Sequence, residues 1–173
     1  QNNVQGACDL GGLPNVYPGY QAVTLEPVRK KFEEAWGVED LSDQVGMTVT
    51  AMIEGACEGK VRALYVMGEN PMLSDPDINH VRHCLEQLDL LVVQDFFLTE
   101  TAQLADVVLP GTSFAERDGT FTGTDRRIQR VRKAVAPPGE AREDWRILCD
   151  LAGRMGLPMP YENSAAIMKE IAS

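Results

Sequence analysis

At 173 residues the chain suits one sizeable domain with its own core, and its 44% apolar and 24% charged residues are ordinary for a globular protein. A formal net charge of −10 argues against gripping a nucleic-acid backbone, since that affinity comes largely from Lys and Arg neutralising phosphates. No apolar run approaches the roughly 18 residues a membrane helix needs, so no membrane contact is expected.

Residues 1–25 mix glycines with Asn, Gln, Tyr, Pro14 and Pro18, and read as an ordered but irregular segment. Gln1-Asn2-Asn3-Val4-Gln5-Gly6 has neither an initiator Met nor the regions of a signal peptide, so the expectation is a processed or excised chain. Pro27 opens a helix with Val28, Phe32, Ala35 and Trp36 on one face and Gly37 as the stop. A second short helix is expected over 48–57. The run ALYVM (63–67) then reads as a strand, followed by Gly68-Glu69-Asn70-Pro71. Ser74 or Asp75 can cap a helix that starts at Pro76 and buries Ile78, Val81, Leu85 and Leu88. Asp89 leads directly into the strand LLVV, which ends in Gln94-Asp95; this is the tight return of a βαβ unit. A short helix over 99–104 precedes the strand DVVL, which ends in Pro110-Gly111-Thr112-Ser113. Residues 114–135 alternate irregularly, as an extended loop or short strand pair around the turn dipeptide Asp118-Gly119. A helix from about Arg142 turns Trp145, Leu148, Leu151, Ala152 and Met155 inward, and Asn163 can cap a last helix carrying Ile167, Met168 and Ile171.

Three strands separated by helical segments imply an α/β fold, Rossmann-like and doubly wound, with a mainly parallel sheet flanked by helices in a single domain over 1–173. Ligands of such sheets sit outside the carboxyl ends of the strands, where this chain carries amide, carboxylate and hydroxyl groups beside glycines. Gly68-Glu69-Asn70-Pro71 reads either as turn chemistry or as a cradle for a ribose or base edge. Gln94-Asp95 reads either as a loop cap or as a carboxylate accepting from ribose hydroxyls or a guanine N–H pair. No GxGxxG follows a strand and no GxxxxGK[ST] occurs, so a bound nucleotide must be held differently.

Cys8, Cys57, Cys84 and Cys149 are scattered without a CxxC, so neither a zinc or iron–sulfur site nor a disulfide framework is expected; free thiols in a reducing, cytoplasmic compartment fit better. His80, His83 and Cys84 raise a metal reading, but helical geometry turns both histidines off the apolar stripe and towards solvent, so no metal ligand is assigned. Arg126, Arg127, Arg130, Arg132 and Lys133 form a basic island that is either a solvated loop or a contact for phosphates or an acidic neighbour. Ser113 and Thr112 lack a supporting His, so no catalytic residue is assigned.

The segments QNNVQGACDLGGLPNVYPGYQ, GENP and VVQDFFLTETAQLADVVLPGTSFAERDGTFTGTDRRIQ resemble the third domain of molybdopterin-dependent formate dehydrogenase catalytic subunits, from residue 1 to about residue 160. The ADVVLP block followed by Glu and GTF is shared across the molybdopterin oxidoreductases. The resemblance implies a parent enzyme that oxidises formate to carbon dioxide at a bis(molybdopterin guanine dinucleotide) molybdenum or tungsten centre, with this domain gripping one dinucleotide. It carries the contact role onto Gln1, Asn70, Ser74, Gln94, Asp95, Gly111 and Asp144. Asn70 stands where close relatives have Asp, Gly111 where some have Ser, and Gly123 and Asp125 where Asn and Glu are common.

The resemblance also implies what belongs to the parent rather than to this chain: a [4Fe-4S] centre, the cysteine or selenocysteine metal ligand with its His, the catalytic Arg and the domain for the second dinucleotide. On that reading the chain is an excised domain, inert alone, whose partners are the other domains of its subunit and iron–sulfur or NAD-reducing electron-transfer subunits. The competing reading is a structural domain of an electron-transfer subunit of the respiratory complex I type, where the fold persists and the pterin site is lost. A third is an independent binding module for a simple guanine nucleotide.

Overall fold

The computed structural model describes residues 3–172. Its amino-terminal segment is more regular than its composition suggests: a short helix α1 (Val4–Asp9) leads to an antiparallel ribbon of β1 (Val16–Tyr17) and β2 (Gln21–Ala22). Helix α2 (Glu26–Trp36) has Pro in its first turn and ends where Gly37 takes φ of +64°, a conformation that costs glycine little. Phe32 alone on this helix is buried; it meets the Tyr17 ring at 4.7 Å and the Trp36 ring at 5.0 Å. Ala35 and Trp36 are exposed, so the buried face is narrower than the periodicity suggests.

Helix α3 (Val49–Cys57) starts where Thr48 Oγ1 accepts the Ala51 N–H, close to the expected boundary. Strands β3 (Ala63–Met67), β4 (Leu90–Asp95) and β5 (Val107–Pro110) then form one parallel sheet in the order β3-β4-β5. Val66 pairs with Val93, and Val93 with Val108, so the strands end nearly level.

The connection from β3 to β4 holds two helices where one is expected, α4 (Pro71–Ser74) and α5 (Ile78–Leu85). The boundary moves because Asp75 Oδ1 accepts the Asp77 N–H, an Asx turn that leaves Pro76 outside the helix. Asp77 is the true cap, its Oδ1 accepting the His80 N–H at 3.0 Å. Ile78, in the first turn, is 46% exposed, while Val81, Cys84 and Leu85 are buried.

One face of the sheet builds the core. Leu91 and Val93 of β4 and Val66 of β3 meet Ile53 and Ala56 of α3 and Val81, Cys84 and Leu85 of α5. Each fully buried large aliphatic side chain contributes roughly 1.5–3 kcal/mol. The opposite face, carrying Tyr65 and Val107, is half open. The segment after β5 contains an antiparallel hairpin, β6 (Gly119–Thr122) and β7 (Ile128–Val131), pinned to the amino terminus by Asn3 Oδ1 accepting the Thr122 N–H. Helices α6 (Asp144–Arg154) and α7 (Ser164–Ile171) follow, the latter capped by Asn163 as expected. On α6 the buried residue is Ile147; Leu148, Leu151 and Met155 are exposed, contrary to the expected stripe. The result is an α/β fold with a parallel three-stranded sheet and flanking helices.

Candidate functional site

The three strand ends join into one ledge through their main chains. The Gly68 N–H donates to Gln94 O and the Gly111 N–H to Asp95 O, both at 2.9 Å, so the turns after β3, β4 and β5 sit side by side. Gly68 takes φ of +64°, which explains glycine at the sharp exit from β3. Asp144 reaches the ledge from the first turn of α6: its Oδ1 accepts from Gln94 Nε2 at 2.8 Å and its Oδ2 pairs with the Arg117 guanidinium. Burial pushes Arg117 below its ordinary pKa, and nearby Glu143 opposes that shift.

Gly111 is a point of close approach within the ledge. A Cβ there would lie 2.7 Å from Asp144 Oδ1, so a side chain at 111 would displace the carboxylate. The next residue, Thr112, is buried, and its Oγ1 is the buried side-chain oxygen left without a hydrogen-bond partner among the described residues. An orphaned buried hydroxyl costs about 1–3 kcal/mol, which makes it a group that gains from a ligand. Beside the ledge, Phe96, Phe97, Pro110, Gly111 and Ala141 line a cleft of about 410 Å³. Phe96 and Phe97 are 53% and 68% exposed, a paired aromatic surface next to Asp95.

The predicted residues fall into distinct groups. Gln94, Asp95, Gly111 and Asp144 come together. The Gln94 side chain, however, is 1% exposed and bonded at both ends, accepting from Tyr65 Oη and donating to Asp144. Burial of Tyr65 raises its phenol pKa, so it stays a donor. Gln94 therefore builds the floor of the ledge rather than its surface. Asn70 lies at the β3 end, but its Oδ1 accepts from Thr101 Oγ1 at 2.7 Å and its Nδ2 donates to Glu100 at 2.8 Å. Its side chain locks the β3 turn to the segment after β4. Ser74 closes α4 in an exposed position, its N–H bonded to Asn70 O, away from the ledge contacts. Gln1 lies outside the described residues.

Sequence reasoning missed Tyr65, Thr101 and Arg117, which support the ledge residues. Tyr65 looked like any residue of an apolar strand, and Arg117 and Asp144 are too distant in sequence to suggest a pair. Ser113 is used as a cap: its N–H donates to Glu116 Oε2 at 2.8 Å.

Away from the ledge, the basic island lies on the β6–β7 hairpin. Arg126 stacks over the Tyr20 ring at 5.0 Å and approaches Asp9 at 3.4 Å, while Arg127 pairs with Asp125. Arg130, Arg132 and Lys133 are exposed. The cysteines depart from expectation: Cys57 and Cys84 form a disulfide between α3 and α5, and Cys8 and Cys149 are free and half-buried. His83 is exposed as expected, but His80 is half-buried against Glu54, Cys57 and Cys84. Helical geometry within α5 could not show what α3 brings.

Comparison with known proteins then gives a consistent picture. The family described as molybdopterin oxidoreductase matches residues 1–154. An F420-dependent formate dehydrogenase 1 subunit alpha of Methanococcus maripaludis is 60% identical over 174 residues, covering 99% of this chain and 25% of that protein. Formate dehydrogenase H of Escherichia coli is 48% identical, with 99% and 24% covered. The chain thus spans about a quarter of the curated relatives it matches. Among solved structures, acetylene hydratase from Pelobacter acetylenicus is similar, with a TM-score of 0.61 and 29% identity over 69% of this chain and 18% of that one. No described helix is long and apolar enough to cross a membrane.

Proposed function

The chain belongs to the molybdopterin oxidoreductase family, and from that premise we propose that its ledge holds one guanine dinucleotide arm of a molybdopterin cofactor in a formate dehydrogenase alpha subunit. The supporting observation is the ledge itself: three strand ends joined through Gly68, Gln94, Asp95 and Gly111, with an orphaned Thr112 hydroxyl buried beside them. That donor set suits half of a nucleotide, whose hydroxyls, N–H groups and phosphates need acceptors and main-chain donors in a row.

Asp95 would accept from ribose hydroxyls or from the guanine N–H pair. Gly111 leaves room for the Asp144 carboxylate at the ledge, Thr112 supplies its unmet hydroxyl, and Asp144, held by Gln94 and Arg117, borders the same surface. Phe96 and Phe97 offer faces for a base to stack on. When bound, the complete bis(guanine dinucleotide) group with its molybdenum or tungsten supplies two-electron oxidation of formate to carbon dioxide. This chain's part is to bind and orient; it offers no nucleophile–base pair at the ledge, and the domain alone would turn over no formate. The [4Fe-4S] centre, the remaining domains and the electron-accepting subunits belong to the parent on this reading.

A second reading, a structural domain of an electron-transfer subunit, draws on the internal bonding of Asn70 and Gln94, whose side chains are already spent. Calorimetric titration with guanosine diphosphate separates the two. The wild-type chain should bind weakly, since half of a clamp is poorly preorganised, and Asp95→Ala should weaken binding by about tenfold without unfolding the protein. Equal affinity in both proteins favours the structural reading, and tight binding of NAD instead redirects the assignment altogether.

A further inference from the structure

Two pairs of metal-ligating side chains face each other across the seam of α3 and α5. Glu54 and Cys57 stand three residues apart on α3, and His80 and Cys84 four apart on α5, spacings that place each pair on one helix face. His80 Nε2 lies 2.9 Å from Glu54 Oε1 and 3.5 Å from Cys84 Sγ. Ligand atoms of Cys57, His80 and Cys84 all lie within 4.8 Å of one another. A disulfide engages two of these groups. It gives no reason for an imidazole, itself held by Glu54, to lie against the same sulfurs.

We propose that, once the Cys57–Cys84 bond is reduced, Cys57, His80 and Cys84 bind a zinc-type divalent cation, with Glu54 or water in the fourth position. Zinc–sulfur bonds of about 2.3 Å and zinc–nitrogen bonds of about 2.0 Å place tetrahedral sulfur and nitrogen ligands roughly 3.6 Å apart. The 3.5 Å between Cys84 Sγ and His80 Nε2 already matches. Two thiolates and an imidazole select a borderline-soft ion over magnesium or calcium. Cys84 is fully buried and Cys57 half-buried, while His80 and Glu54 stay partly open to solvent, giving an ion an entry path.

A phosphine reductant gives two electrons to the disulfide and leaves as its oxide with the oxygen of one water, whose two protons go to the sulfurs. Binding of the cation then releases two protons from the thiols. A two-electron oxidant of the disulfide class takes back two electrons, re-forms the sulfur–sulfur bond and ejects the ion. Disulfide and metal are thus alternative clamps between the same helices. Both sit near the amino ends of β3 and β4, at the end of the sheet opposite the ledge.

The test is a cobalt(II) titration of the phosphine-reduced 173-residue chain under argon, with cobalt standing in for zinc. The wild type should develop the near-ultraviolet thiolate-to-cobalt band and the visible bands of tetrahedral cobalt, and stoichiometric zinc should bleach both. His80→Gln, a half-exposed change that leaves the core intact, should weaken cobalt binding at least about tenfold. Cys57→Ser should weaken the thiolate band, and a Cys8→Ser, Cys149→Ser double variant should retain it in full. The proposal is overturned if the reduced wild type gives no band, if His80→Gln binds as tightly as wild type, or if the double variant loses the signal.

Discussion

The two ends of the central sheet are finished differently. Near the amino ends of β3 and β4, α3 and α5 close over Leu91 and Val93, and a covalent bond joins the helices. At the carboxyl ends the surface is glycine, carboxylate, hydroxyl and exposed aromatic rings, with one buried hydroxyl left unsatisfied. The first end is built for persistence, because a packed apolar layer and a disulfide join its helices. The second leaves the buried Thr112 hydroxyl without a partner among the described residues. On the proposed function, stability and binding would draw on separate residues of the same three strands.

That separation predicts effects of different size and kind. The largest should come from Leu91→Ala in the closed layer: about 2–5 kcal/mol lost in chemical denaturation, from lost transfer energy and the cavity left behind. The nucleotide affinity of the molecules still folded should be unchanged; a matching loss of affinity would mean that the two ends are one unit. Next, Thr112→Val should raise stability by about 1–3 kcal/mol, because it removes an unsatisfied hydroxyl. It should at the same time weaken guanosine diphosphate binding. A clear destabilisation would show that the hydroxyl already has a partner.

The smallest effect is one of pH. The Asn70 side chain, then a main-chain hydrogen bond, hold the Glu100 carboxyl below its ordinary range. A carboxyl with a lowered folded pKa stabilises the fold above its unfolded pKa, and that contribution is lost as pH falls through the folded value. Acidification below the usual carboxylate range should therefore release the Asn70 amide, read as a pH-dependent shift of its side-chain resonances. A flat response would remove this brace from the β3 turn.

Much of the frame could be read from short-range chemistry. The runs ALYVM, LLVV and DVVL became the three strands because each apolar run is bounded by turn-forming residues. Thr48, Gly37 and Asn163 sit where their capping chemistry places them. What failed depended on distant partners. The apolar stripe of α6 marks a face, but only Ile147 meets enough of this chain to be buried. The pairing of Cys57 with Cys84 needs two helices brought together across 27 residues. At the ledge, the strand-end positions were legible, whereas the fate of their side chains was not. Gln94 and Asn70 have the same polar character whether they face a ligand or Tyr65 and Thr101.

The central claim, that three strand ends present one nucleotide-binding ledge, is tested most directly by mapping main-chain amide resonances during a guanosine diphosphate titration of the isotope-labelled chain. The amides of Gly68, Asp95, Gly111 and Thr112 should shift together with one binding curve, while those of α3 and α5 stay still. Shifts confined to the basic hairpin, or scattered without a common curve, would contradict it.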